Sequence, residues 1–462
     1  MPGAGGFFIV GGMRRTFWIY LLPLVLLMAV TLPHLGQGDF VTDTGRYAAV
    51  GLQAWRDPSL FWTLHLQPTV PYFNKPPLVF WIHGLFLHMF GVSVAMARFP
   101  SILAALGVVA LSVSIARRLL GNGVALASGC VLALTYEFFR RTREVSLDQW
   151  QLLFMLGAVW FCLRAASGKR WGDAWLAGVT LGLALMCKPF MALMVLPVMI
   201  WICRRPAMVW SMLAGCVLVA LPWHVAMVVT HGDAFVTQYF GREILSRAQG
   251  EINAQPWWYY AEEMGRSYWP WWLAFAAGVW RFASGVGSPR RRVALKGALL
   301  WVGFWVVALS CFPDKRPRYE LPLYPGMAIV AGYGLVLLPW RGLRNWYRRR
   351  LAVTVGVVVL LGAVAAMLPL KVKDPPARDI GALLEWCREH TGEAIYSAAL
   401  STNDEGYFYL RLGDWPKAVP HGRRRLVPKG SYLVYTDGLL PTPQAKERVV
   451  FREEKYCVTK KE

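Results

Sequence analysis

Long runs without one charged side chain constrain this chain more than any other feature. Phe17 to Leu35 holds no Asp, Glu, Lys or Arg, and neither do Leu152 to Leu163, Met191 to Cys203 or Leu351 to Leu370. A helix needs about 20 mostly apolar residues to cross the hydrocarbon core of a bilayer. Windows of about 19 residues place spans near 17–35, 98–116, 123–139, 149–163, 173–187, 190–203, 207–229, 270–286, 297–312, 321–339 and 351–369. The expected fold class is an α-helical polytopic membrane protein of roughly eleven transmembrane helices. Disordered, collagen-like and disulfide-scaffold chains do not carry such blocks, and neither does a single soluble core.

Charge gives these spans a direction. The chain has 49 Lys+Arg against 27 Asp+Glu, a formal net charge of +22, which in a soluble protein would suggest nucleic acid. Only 16% of it is charged, however, where soluble chains carry about a quarter. The bases gather in short loops: Arg117 and Arg118; Arg164, Lys169 and Arg170; Arg204 and Arg205; Arg290 to Arg292 with Lys296; and Arg341 to Arg350. All fall on the side of Arg14 and Arg15. By the positive-inside rule that side is cytoplasmic, which puts the N-terminus in, on a retained anchor, and the C-terminus out. No nucleic-acid partner is expected, and the membrane lipids are the surroundings.

The outer side has longer connections, about 36–97, 230–269 and the tail 371–462. Residues 1–370 are thus expected to form the membrane domain and 371–462 a small α/β periplasmic domain. The two loops are rich in aromatics that favour the headgroup layer, so interfacial helices are expected there, with Pro77 to Met89 too short to span. In the tail, Asp379 to His390 reads as a helix, and Ala394 to Leu400, Tyr407 to Arg411, Tyr432 to Thr436 and Val449 to Thr459 read as strands. A Cys387–Cys457 bridge and two buried thiols are both open readings.

Before the tail, Asp173 is the one acid assigned to the cytoplasmic side; the others share the outer side with Lys75, Arg98, Arg143, Arg242, Arg247, Lys315 and Arg318. Ionisable groups at membrane depth mark function by default. Seven constellations recur on this side: Thr42-Asp43-Thr44-Gly45-Arg46-Tyr47-Ala48; Asn74-Lys75-Pro76-Pro77-Leu78; Ala97-Arg98-Phe99-Pro100-Ser101; Arg143-Glu144-Val145-Ser146-Leu147-Asp148; Leu221-Pro222-Trp223-His224; Gln255-Pro256-Trp257-Trp258-Tyr259-Tyr260; and Lys315-Arg316-Pro317-Arg318-Tyr319-Glu320-Leu321-Pro322-Leu323-Tyr324-Pro325. In this order they resemble the polyprenyl-phosphate-sugar glycosyltransferases, above all the lipid A aminoarabinose transferase (ArnT-like) family, with protein O-mannosyltransferases more distant.

The resemblance implies a GT-C membrane fold in the bacterial inner membrane, with a periplasmic active site. It implies an undecaprenyl-phosphate-linked sugar donor and a lipid A, glycolipid, glycan or protein acceptor. It also implies acidic roles for Asp43 and Asp148 and donor-phosphate binding by Lys75, Arg247, Tyr319 and Lys315. Arg46, Tyr47, Arg143 and Arg242 are further substrate-binding candidates. The residues agree with that chemistry. A phosphate leaving group is stabilised by fixed cations, and an acid can orient an acceptor, act as its base or stabilise oxocarbenium-like charge. The bland alternatives stay open: helix capping for Asp43 and Asp148, and snorkelling for Lys75 and Lys188. The family's Glu before Lys-Pro-Pro and its metal-holding His are here Asn74 and what looks like Arg242, so no metal or other cofactor is expected. Thr44 stands where the family has a second acid, which opens the choice of sugar and acceptor. The rival class is a transporter or flippase of lipid-linked saccharides, which should show charged breaks near mid-membrane in matching halves.

Overall fold

The computed structural model describes residues 5–37, 43–67, 70–168, 170–250 and 253–336, and in the tail 378–390, 394–398, 400, 406, 409–413, 417–418, 427–436, 447–453 and 456–462. The expected span near 351–369 and the basic run 341–350 lie outside the described residues. In chain order the helices are α1 Gly5–Thr31, α2 Asp43–Arg56, α3 Leu78–Phe90, α4 Val94–Leu120, α5 Asn122–Ala133, α6 Tyr136–Arg141, α7 Leu147–Gly168, α8 Trp171–Leu185, α9 Pro189–Leu193 and α10 Leu196–Ile202. They continue with α11 Pro206–Val236, a π-helix Thr237–Ser246, α12 Arg247–Gln249, α13 Tyr259–Ser267, α14 Trp271–Ala283, α15 Pro289–Cys311, α16 Leu323–Val336 and, in the tail, α17 Arg378–Glu389. The chain divides into two compact units. The first holds Met1–Leu35, Phe73–Val79 and Ser101–Pro369, the second Gly36–Tyr72, Phe80–Pro100 and Leu370–Glu462.

Most of the apolar helices belong to the first unit. Among the described residues five helices are long and apolar enough to cross a membrane: Phe17–His34, Val94–Leu120, Leu147–Gly168, Pro206–Ser246 and Pro289–Cys311. The expected span at 190–203 is two short pieces, α9 and α10, joined at Met194 and Val195. Each piece starts on a proline at its first or second position, which suits a helix start and not an interior. The spans expected at 173–187 and 270–286 are the shorter helices α8 and α14.

Small residues let these helices touch backbone to backbone. A Cβ on Gly178 of α8 would lie 1.9 Å from the Met212 carbonyl oxygen of α11, and one on Gly215 would lie 2.5 Å from Trp175 O. Lipid tails are as apolar as leucine, so helix pairs in a bilayer are held by close van der Waals packing, which this crossing supplies. Near the π-helix, Phe73, Met186, Trp223, Met227, Phe235 and Tyr239 form a buried cluster, with Phe235 stacked on Tyr239 at 4.9 Å. His224 belongs to that packing: its Nε2 lies 2.8 Å from Tyr239 Oη.

In the second unit, part of the first long loop groups with the tail and not with the apolar helices. The second unit thus joins the chain from Leu370 onward to Gly36–Tyr72 and Phe80–Pro100. Helices α2 and α3 cross at Gly51 and Gly84, where a Cβ on Gly84 would fall 2.1 Å from Gly51 O. The Arg56 guanidinium lies 5.4 Å from the Tyr409 ring centroid, and a Cβ on Gly406 would lie 2.9 Å from Arg46 Cα, so the loop and the tail meet directly.

The tail sheet has the order β4-β3-β5-β7-β6, from β3 Ile395–Ala398, β4 Lys417–Ala418, β5 Tyr432–Thr436, β6 Glu447–Glu453 and β7 Tyr456–Lys461, while β1 His65–Gln67 and β2 Val70–Pro71 form a separate antiparallel pair. Strand β3 is parallel to β4 and β5, and β7 is antiparallel to β5 and β6. Two expectations change here. The run expected as one strand, 449–459, is the hairpin β6–β7. Residues 409–412 are helical and not extended, with Tyr409 and Leu410 both buried. Cys387 and Cys457 are both free and buried.

Candidate active site

Pro76 and Pro77 restrict the backbone after Lys75 and lead into α3, so the lysine sits on a stiff approach to a helix start. Its ammonium donates to Asn74 O at 3.0 Å and forms a close ion pair with Glu243. Both side chains are largely buried. The π-helix suits the match: its hydrogen bonds run from i to i+5, which keeps Gln238 and Glu243 near one face to meet consecutive partners. Gln238 Nε2 donates to Asn74 Oδ1 at 2.6 Å while Glu243 takes Lys75.

A second charged group closes the same space from α7. Ser146 Oγ accepts from Gln149 N at 3.2 Å and so caps the helix, which leaves the Asp148 carboxylate for other work. Asp148 Oδ1 accepts from Lys188 Nζ at 2.8 Å, and Arg318 Nε stands 3.9 Å from Oδ2. The Lys188 ammonium also lies 4.0 Å from the Tyr319 ring centroid, a cation–π contact. Lys188 precedes Pro189, and Gln151 of α7 donates to its carbonyl, so the residue is fixed from both sides.

Lys75, Lys188, Glu243, Asp314 and Tyr319 line one small cavity of about 80 Å³, whose remaining wall includes Met191, Leu309 and Phe312. Two ammonium groups and a phenol thus converge on a partly apolar space. This is what a phosphate ester with a hydrocarbon tail requires.

The other expected residues fall elsewhere. Lys315 is 2% exposed and donates to Phe312 O at 2.5 Å and Gln255 O at 3.3 Å; it braces the loop before Tyr319 and does not line the cavity. Arg143 is buried and Arg242 is exposed. Arg247 begins α12, and its side chain lies outside the described residues. In the second unit Asp43 opens α2; its Oδ1 accepts from Arg46 at 2.6 Å and its Oδ2 from Tyr47 Oη at 3.4 Å. Burial works against the Arg46 charge, but Tyr72, Tyr47 and Asp43 more than offset it and hold the guanidinium pKa above its usual value.

Three residues escape a reading of the sequence. Lys188 reads there as a snorkelling residue, and only the fold brings it to Asp148. Glu243 gives no local signal. Glu320 is fully buried; its Oε2 accepts from Tyr324 Oη at 2.6 Å and Ser267 Oγ at 3.2 Å, while Oε1 has no partner among the described residues. Burial pushes its pKa up to about 8 against those two hydrogen bonds, with Glu263 and Glu137 adding to the rise.

Known proteins resemble the chain both in sequence and in fold. The family model described as dolichyl-phosphate-mannose-protein mannosyltransferase matches residues 74–231. An undecaprenyl phosphate-alpha-4-amino-4-deoxy-L-arabinose arabinosyl transferase 1 of Pseudomonas fluorescens (strain Pf0-1) is 26% identical over 370 residues, 76% of this chain and 63% of the relative. The corresponding transferase of Pseudomonas aeruginosa (strain UCBPP-PA14) is 27% identical over 386 residues, 78% of this chain and 67% of its own. The chain spans 63% of the length of the first of these relatives.

Among solved structures, ArnT from Cupriavidus metallidurans bound to undecaprenyl phosphate superposes with a TM-score of 0.77 at 19% identity, covering 96% of this chain and 98% of the other. The archaeal oligosaccharyltransferase AglB from Archaeoglobus fulgidus, in complex with an inhibitory peptide and a dolichol-phosphate, gives 0.58 at 12% identity, covering 92% and 70%. In sequence the chain is thus similar to undecaprenyl phosphate-alpha-4-amino-4-deoxy-L-arabinose arabinosyl transferases, and in fold it is similar to ArnT.

Proposed function

We propose that this chain transfers a sugar from an undecaprenyl-phosphate-linked donor to a lipid A, glycolipid, glycan or protein acceptor at the periplasmic face of the inner membrane. The observation that carries the reading is the convergence of Lys75, Lys188 and Tyr319 on one cavity with Asp148 behind Lys188. As the bond from the sugar's anomeric carbon to the phosphate oxygen breaks, negative charge grows on the phosphate. Ammonium groups already in place stabilise it without reorganising. Lys75 exchanges Glu243 for the phosphate, and Asp148 holds Lys188 over Tyr319. Asp43 keeps the role the resemblance implies for it, as the carboxylate that orients or deprotonates an acceptor hydroxyl or stabilises the oxocarbenium-like sugar. Arg247 remains a candidate for the donor phosphate on the same ground. A phosphate acceptor would be nucleophilic already and would need no base.

The test is purified full-length protein in bicelles, supplied with a panel of undecaprenyl-phosphate sugars and with lipid A or glycan acceptors, with product read by mass spectrometry. Wild type is expected to transfer at least one sugar, and Asp43→Asn to lose activity by about two or more orders of magnitude, in line with single catalytic-group deletions. Full activity in Asp43→Asn, or no transfer by wild type across the panel, overturns the mechanism.

A further inference from the structure

The first unit holds a larger cavity that the site above does not use. Its volume is about 350 Å³, within the roughly 300–1,000 Å³ of small-molecule pockets, and its walls are almost wholly apolar. It lies toward the opposite ends of the helices that frame the candidate active site. Helix α7 begins beside Asp148 and lines this cavity with Leu156, Val159 and Leu163; α15 reaches the first cavity at Leu309 and the second at Val293 and Gly297. At 1.5 Å per residue, Val293 and Leu309 are about 24 Å apart along α15, most of a bilayer core.

The rim is as one-sided as the walls. Arg204 lines the cavity, Arg164 follows Leu163, and Arg290, Arg291 and Arg292 immediately precede Val293. Arg204 and the three consecutive arginines are exposed, whereas Arg164 is answered by Asp173 at 3.0 Å. Hydrocarbon walls under a cationic rim fit a molecule with an acyl chain and a negative head. Basic pockets between membrane helices are known to take anionic lipid headgroups.

We infer that this cavity is a binding site for one anionic glycerophospholipid, its acyl chain between α7 and α15 and its phosphate at Arg204 and the first turn of α15. A zwitterionic lipid offers the same chain and no net charge, so the rim selects between them.

The experiment is native mass spectrometry of the delipidated full-length protein, titrated with phosphatidylglycerol, with phosphatidylcholine of matched chains, or with undecaprenyl phosphate. One phosphatidylglycerol is expected to stay bound with at least about five-fold preference over phosphatidylcholine. Arg204→Glu should erase that preference. Gly297→Leu should remove binding of both lipids, because a Cβ there meets only Trp201, at 3.9 Å, and a longer side chain fills the space. Unfolding midpoints in lipid-free detergent check that both variants are folded. Equal retention of the two phospholipids, retention unchanged in both folded variants, or displacement of phosphatidylglycerol by stoichiometric undecaprenyl phosphate overturns the assignment.

Discussion

Lys188 shows how one residue's role depends on partners far along the chain. In sequence it is a lysine before a proline at a helix end, where snorkelling explains it; Asp148 is forty residues away and Tyr319 much further. Replacing it with Met keeps the length and removes the charge. Asp148 would then lose its 2.8 Å partner, and the cavity one of its cations. Transfer by Lys188→Met is expected to fall by about 10²–10³-fold in single-turnover assays, the usual loss when one preorganised donor is removed. By contrast Lys75 and Tyr319, which line the cavity, stand in local motifs that the sequence displays. Glu243 and Lys188 do not, since a salt bridge across helices leaves no mark in either neighbourhood.

Glu320 makes stability depend on pH. Its pKa in the folded protein, about 8, lies above the ordinary 4.5, so the folded state binds the proton more tightly. Its contribution is therefore fully present below about pH 4.5 and is lost as pH rises through about 8. Glu320→Gln mimics the neutral acid. The variant is expected to match wild type near pH 5 and to unfold at a higher temperature than wild type at pH 9, measured by thermal denaturation in detergent. A wild-type midpoint flat across that range would contradict the assignment.

At the level of elements, glycines set how closely helices approach. Gly178→Leu would drive a side chain into the α11 backbone at Met212, and overpacking of this kind costs about 1–3 kcal/mol or more. Gly172, on the same helix, has open space where a Cβ would stand, with no atom within 4 Å, so Gly172→Ala should be neutral or slightly stabilising. Comparing the two by thermal unfolding separates packing from helix propensity. Hydropathy locates the long helices well because apolar length is a property of consecutive residues. It does not locate the break between α9 and α10 or the π-helix, whose causes are proline positions and side-chain partners on other elements. The β6–β7 hairpin is hidden for a similar reason, since the sequence joining its strands has no Gly or Pro to punctuate it.

On the scale of the whole molecule, charge is distributed by end. The basic ends of α4, α7 and α15 and the chain after α10 stand against the mixed acids and bases around Asp148, Glu243 and Asp314. If the basic end is cytoplasmic, alkaline phosphatase fused after residue 288 should be inactive and the same reporter fused after residue 260 active. The reverse result would invert the orientation.

The Lys75–Glu243 pair has a consequence for what the cavity ignores. A bilayer presents phosphates at high density, and a bare ammonium at the mouth of a groove would be occupied by any of them. With Glu243 in place, an arriving headgroup finds the charge already cancelled, and only a ligand with enough further contacts displaces the carboxylate. On the proposed function, the pair serves as a gatekeeper against bulk lipid. Glu243→Gln should make transfer more sensitive to inhibition by added phosphatidylglycerol than wild type, even if donor binding itself tightens.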